Sequence, residues 1–163
     1  MSSNVECIDA PKIIDTDKTQ LVTFAVGDII LGVDIGHVQE INRSTDITEV
    51  PGAPKQYHGV VNLRGDVVTI LNPHHIFNIP EIPRTRTCRN LILNLGEDRV
   101  GVLVDRILDI LDVRKSEFNR RPSNVDSIDR KYIESVYLQD DQIVIVVSLE
   151  ALADAHEEAQ ATA

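Results

Sequence analysis

The sequence predicts an all-β protein made of two small barrels, with helix confined to short turns and one C-terminal segment. Three observations predict it. Runs of β-branched and aliphatic residues recur with glycine-centred turns between them. The strand-rich text reads as one unit written twice, about residues 19–80 and 89–150, with convergence of two hairpin-bearing units on the same β grammar as the alternative. Each copy has room for about five short strands, a number that leaves exposed edges as a flat sheet and closes well as a barrel.

The copies align without a gap from Val22 to Asn42 at an offset of 69. Gly27 falls on Gly96, Gly32 on Gly101, Val33 on Val102, Val38 on Ile107, Glu40 on Asp109 and Ile41 on Ile110. Further on, an offset of 75 sets Tyr57 on Tyr132, Val61 on Val136 and Leu63 on Leu138.

Residues 1–18 are polar and aperiodic and read as a disordered leader. Leu21–Val26 and Ile29–Ile35 flank Gly27-Asp28, a hairpin signal because glycine reaches positive φ without steric cost. Asp34–Ile41 reads as the alternating end of that hairpin, and Val50-Pro-Gly-Ala-Pro54 as a turn into a strand ending at Asn62-Leu-Arg-Gly65. Val67–Leu71 follows as a strand, with short turns at Pro54–His58 and His74–Phe77. Residues 78–88, with two prolines, link the copies. Leu91–Leu95 and Arg99–Val104 form the second hairpin around Gly96-Glu-Asp98, and Ile143–Val147 matches Val67–Leu71. The segment from Leu149 is rich in Ala and Glu, hence helical by propensity. The folded unit is expected over 19–155, followed by an acidic, Ala-rich tail at 156–163.

Several function classes are excluded early. The net charge is -10, with only 3 Phe, 3 Tyr and no Trp. Phosphate neutralisation and base stacking need the opposite charge and more aromatics, so nucleic acid is not expected as a partner. Residues 1–18 carry -2 and 150–163 carry -4, so the part between is only mildly acidic. The N-terminus has neither the basic nor the apolar region of a signal peptide, and no apolar run spans a bilayer. A cytoplasmic protein without membrane insertion and with free Cys7 and Cys88 is expected. In that setting Asn42-Arg-Ser44 and Arg64-Gly-Asp66 are chance matches to glycosylation and adhesion motifs.

Chemistry-bearing constellations are missing. His74 and His75 are adjacent and do not share a ligating face, and no second His or Cys pair stands at ligand spacing, so the histidines read as surface polar residues and no metal is expected. No phosphate-cradling glycine loop and no partnered nucleophile occurs, so neither cofactor nor catalysis is expected. The basic clusters Arg84, Arg86, Arg89 and Arg114, Lys115, Arg120, Arg121 read as solvated faces, with an electrostatic docking patch for an acidic partner as the alternative. Arg64, beside a turn, can fork onto a carboxylate or onto carbonyls, and a buried internal ion pair is the structural alternative.

The runs VDIGHVQEI, VPGAP, GVVNLRG and VGVLVDRILDIL together resemble the CheW-like chemotaxis coupling proteins over about residues 20–153. The resemblance implies two intertwined five-stranded, SH3-like β-barrels. It implies a non-enzymatic adaptor that couples the cytoplasmic tips of methyl-accepting chemoreceptors to a histidine kinase whose regulatory domain has the same fold, within receptor–kinase arrays. Carried over by position, Ile35, Val38 and Glu40 lie at the receptor-binding groove, and Arg64 matches the coupling arginine of the Asn-Leu-Arg-Gly turn. Gly59, Asn62, Gly65 and Gly101 match structural turn and motif positions, and no motif fixes the kinase contacts. After Gly65 the chain departs from the family pattern, with Thr69 and Asn72-Pro-His-His75 where a proline and an Asp-Leu pair are usual. Alternatives are a barrel that senses a small ligand between its halves, or an adaptor of the same family in a non-flagellar pathway.

Overall fold

The computed structural model describes residues 17–43, 47–119 and 128–162. The leader over 1–16, Cys7, Ser44, Arg120 and Arg121 lie outside them. In the first half, strands β1 (Lys18–Val26) and β2 (Ile29–Asp34) form the expected hairpin, followed by β3 (Val38–Arg43), β4 (Tyr57–Leu63), β5 (Asp66–Leu71) and helix α1 (Pro73–Ile76). The second half repeats the order with β6 (Arg89–Leu95), β7 (Asp98–Val104), β8 (Arg106–Arg114), β9 (Ile133–Gln139), β10 (Gln142–Val147) and helix α2 (Leu149–Thr162).

The strands make two five-stranded sheets, ordered β8-β1-β2-β10-β9 and β3-β6-β7-β5-β4. Each sheet therefore takes its hairpin from one half of the chain and three strands from the other. The exchange happens at Asp34. Its carboxylate accepts from the Gly36 amide at 2.8 Å and caps a short 3-10 turn, Ile35–His37, after which the chain enters the other sheet as β3. Asp34–Ile41 is thus not the end of the first hairpin, because the cap turns the chain out of that sheet.

Each sheet curls until its edges meet. Thr48, beyond β3, exchanges two backbone hydrogen bonds with Val60 of β4 (both 2.8 Å), and Asn119, beyond β8, does the same with Val136 of β9 (2.8 and 3.0 Å). These matching closures, and the matching positive φ of Arg64 (53°) and Asp140 (54°), set the offset of the later strands at 76 rather than 75. Val60, not Val61, is the counterpart of Val136. The 75 match rests on Tyr57 and Tyr132, which precede a bulge between Tyr57 and Gly59.

The main core lies between the sheets. Val22, Phe24, Val26, Leu31, Val33, Ile145 and Val147 of one sheet pack with Leu71, Leu91, Leu93, Val100, Val102 and Val104 of the other. The barrel interiors hold the alternate residues in much smaller clusters: Val61, Val68, Ile70, Ile92 and Leu103 in one, Leu21, Val113 and Val146 in the other. This is the period of 2 expected of strands whose two faces are both buried. Gly101 sits mid-strand because the Ile70 and Ile92 methyls occupy the space its side chain would need.

The two helices show how the repeat was modified. Asn72 caps α1 by accepting from the His74 amide at 3.0 Å, and Pro73 begins it, so the departure from the family pattern is a capped helical turn. Burial corrects the reading of His74 as a surface residue. It is 8% exposed, its Nδ1 lies 2.9 Å from the Pro80 carbonyl and its Nε2 3.2 Å from Asp105, whose other oxygen accepts from the Gly27 amide at 2.5 Å. Helix α2 runs through position 156 without a break, with Leu152, Ala155 and His156 buried. The Tyr57 hydroxyl of the other sheet donates to the His156 carbonyl at 3.4 Å, so α2 straps one barrel to the other.

Burial pushes the His156 imidazole below its ordinary value of 6.5, against the opposing fields of Asp98 and Glu157, and its Nδ1 has no hydrogen-bond partner among the described residues. A histidine that titrates lower when folded makes the unfolded chain the better proton acceptor below pH 6.5. Stability therefore falls as pH drops below that value. Thermal melts between about pH 7.5 and about pH 5.5 are expected to show a falling midpoint, and His156→Leu to flatten part of that slope.

Candidate functional surface

The site begins with a bulge. In β3 the register to β6 shifts between Val38 and Glu40, so Val38 pairs with Leu93, Glu40 with Ile92 and Ile41 with Leu91. The extra residue puts Val38 and Ile41 on the face toward the inter-sheet core and turns Glu40 to the other face. Ile35, in the preceding 3-10 turn, and Val38 both pack half-buried against that core, while Ile41 is 42% exposed. The result is an apolar margin where the two sheets part.

Glu40 meets the β4–β5 turn. Leu63 and Asp66 close a two-residue hairpin whose central residues, Arg64 and Gly65, have φ of 53° and 91°. Two positive φ values are the requirement of the hairpin turn that follows strand twist, and Gly65 meets it freely. Asn62 braces the turn by accepting from the Gly65 amide at 2.9 Å. Arginine is an unusual residue at such a φ, at a backbone cost of roughly 1 kcal/mol. Its guanidinium donates to Glu40 at 2.8 Å, with side-chain exposures of 75% for Arg64 and 19% for Glu40. The ion pair is therefore real but sits at the surface, unlike the buried pair considered from sequence.

The Arg64 hydrogen bond holds the Glu40 carboxyl below its ordinary value, helped by Asn42 and by the fields of Arg64 and Arg99 against a desolvation effect. The pair is intact at neutral pH and opens only as acid protonates Glu40. Arg99 in turn pairs with Asp66, so charges alternate from β3 across the turn to β7. An exposed pair stabilises little, about 0–1 kcal/mol. Arg64→Gly removes that contribution together with the positive-φ cost, and is expected to leave the thermal midpoint unchanged or raised, as a melting curve would show.

Gly59 and Gly101 have other tasks. A side chain at Gly59 would strike the Thr48 carbonyl and Ile47, so this glycine allows the barrel to close. The ion pair itself is not repeated. Asp109 stands at the place of Glu40 and Asp140 at that of Arg64, so the second barrel presents two carboxylates where the first presents a salt bridge. Sequence reasoning missed the bulge, which no local alternation announces, and the braced turn geometry of Asn62. It also missed that Arg43 lies directly opposite Arg89, which only register reveals. Arg84 belongs elsewhere: it donates to His58 Nε2 at 3.1 Å, and burial, then Arg84, hold that ring below its ordinary value.

Cys88 is a free, buried thiol. Among the described residues no His, Cys, Asp and Glu group is placed to hold a metal ion, and no helix is long and apolar enough to cross a membrane.

A closed pair of exchanged barrels with an ion pair and an apolar margin at its outer surface defines the class of double-barrel β-scaffolds. The model of the CheW-like domain matches residues 20–157, and the chain belongs to this CheW-like family. It is 30% identical over 151 residues to chemotaxis protein CheW of Treponema pallidum (strain Nichols), covering 90% of this chain and 89% of that one. It is 27% identical over 135 residues to chemotaxis protein CheW of Bacillus subtilis (strain 168), covering 83% and 86%. The fold matches the crystal structure of scaffolding protein TtCheW from Thermoanaerobacter tengcongensis with a TM-score of 0.76 at 24% identity, over 80% of this chain and 84% of that one.

Proposed function

We propose that this chain is a non-enzymatic chemotaxis adaptor. It couples the cytoplasmic tips of methyl-accepting chemoreceptors to the CheW-like regulatory domain of a histidine kinase and helps scaffold their arrays, acting in the cytoplasm and reaching the membrane only through its partners. The observation that carries this reading is the Glu40–Arg64 pair beside the apolar margin of Ile35, Val38 and Ile41. An amphipathic helix lays an apolar stripe into such a margin, and the ion pair beside it offers charged hydrogen bonds that fix its register. Membership of the CheW-like family and the relatives named as chemotaxis proteins support the same reading. The apolar packing between the sheets leaves the margins, not the centre, as binding surface, which favours a polypeptide over an enclosed small ligand.

Sedimentation of the chain with a chemoreceptor cytoplasmic fragment and the kinase regulatory domain from the same genome tests the proposal. A ternary complex is expected, and the receptor fragment and kinase domain alone are expected to associate more weakly. Failure of the chain to bind either one would overturn it.

A further inference from the structure

The apolar margin ends in two arginines. On one face of the β3–β6 ladder the pairs run Val38–Leu93, Ile41–Leu91 and then Arg43–Arg89. Directly opposed like charges destabilise a sheet, so this pair costs stability unless something neutralises it. Nothing among the described residues does. Arg89 Nη1 donates to the Arg86 and Cys88 carbonyls, both at 2.8 Å, which fixes its guanidinium on the backbone. Arg43 is exposed, its carbonyl accepting from the Asn90 amide group at 3.2 Å, and among the described residues neither arginine meets a carboxylate. In a chain of 26 acids and 16 bases, two opposed arginines with no acid beside them among the described residues are conspicuous.

We propose that Arg43 and Arg89 are the carboxylate-binding end of the docking margin, taking an acidic side chain of the partner helix. This rests on the reading above that the margin docks a helix. Ile41 and Arg43 are two strand residues apart, roughly 6.6 Å. An α-helix covers that distance in four to five residues at about 1.5 Å each. The partner is therefore a helix with Glu or Asp about one turn beyond the apolar residue that covers Ile41. The planar fork of arginine suits a carboxylate, and Arg89 is already oriented by its backbone bonds. The acid end fixes which way the helix points along β3.

The test uses the full chain and the same chemoreceptor cytoplasmic fragment, with binding measured by titration at low and high salt. Ile41→Asp probes the docking reading and Arg43→Glu the proposal, and both positions are exposed. The expected result is loss of binding with Ile41→Asp. Arg43→Glu should weaken binding by about tenfold and remove much of the salt dependence, with rescue when the matching acid of the fragment is changed to arginine. Loss with Ile41→Asp but wild-type binding by Arg43→Glu would overturn the proposal and leave the docking reading standing. Wild-type binding by both variants would overturn both. Tighter binding on deleting residues 157–163 would place the chain's own acidic end on the arginines and would also overturn the proposal.

Discussion

Gly59→Ala is expected to cost roughly 3 kcal/mol and lower the thermal midpoint by about 6–12 °C. The added methyl meets the backbone carbonyl of Thr48 and the Ile47 side chain. Backbone cannot rotate away as a side chain does. The segment that gives way carries the two 2.8 Å bonds between Thr48 and Val60 that close the first barrel. Gly65→Ala is the control. Its φ of 91° is unfavourable for alanine, but open space surrounds the new methyl, so only a backbone cost of about 1 kcal/mol remains. Gly101→Ala falls between them, because the atoms in its way are the movable ends of Ile70 and Ile92 in a crowded interior. Denaturant titration of the three variants gives the order directly. Equal losses at Gly59 and Gly65 would show that the Thr48 segment gives way at little cost and would contradict the role of Gly59 in closure.

The second large effect concerns the exchange of strands. Fragments 17–80 and 81–163, made separately, are expected to remain unfolded by circular dichroism and to regain strand signal when mixed. Neither fragment holds a complete sheet, since β1 and β2 need β8 and β10, and β6 and β7 need β3 and β5. Neither holds more than part of the inter-sheet core, where the apolar burial that drives folding is concentrated. A fragment that folds alone as a monomer would contradict this architecture.

The repeat made much of this legible in advance. Glycine-centred turns and β-branched runs placed the strands, and the match of Gly32 with Gly101 fell where side chains of neighbouring strands crowd the backbone. Arg64 was singled out by standing in a turn motif, and Glu40 by its place in the family resemblance. The exchange of hairpins between sheets was visible only through that resemblance, because alternation tells a strand which faces to bury and not which neighbour to pair with. His74 looked like half of a surface pair. Its ring is held between the Pro80 carbonyl, six residues on, and Asp105, 31 residues on, and only the fold brings Asp105 there. The Arg43–Arg89 opposition was hidden for the same reason: the two residues are far apart until β3 crosses into the second sheet.

Arg64 and Glu40 are expected to serve contact with partners and not the fold. The most direct measurement is kinase activity in a reconstituted mixture of receptor, kinase and this chain, with Arg64→Ala and Glu40→Ala compared with wild type alongside their melting curves. The expected result is a thermal midpoint lowered by no more than about 2–4 °C, the equivalent of about 1 kcal/mol, and a large fall in receptor-coupled kinase activity for both variants. Full coupling by both variants at unchanged stability would contradict the account.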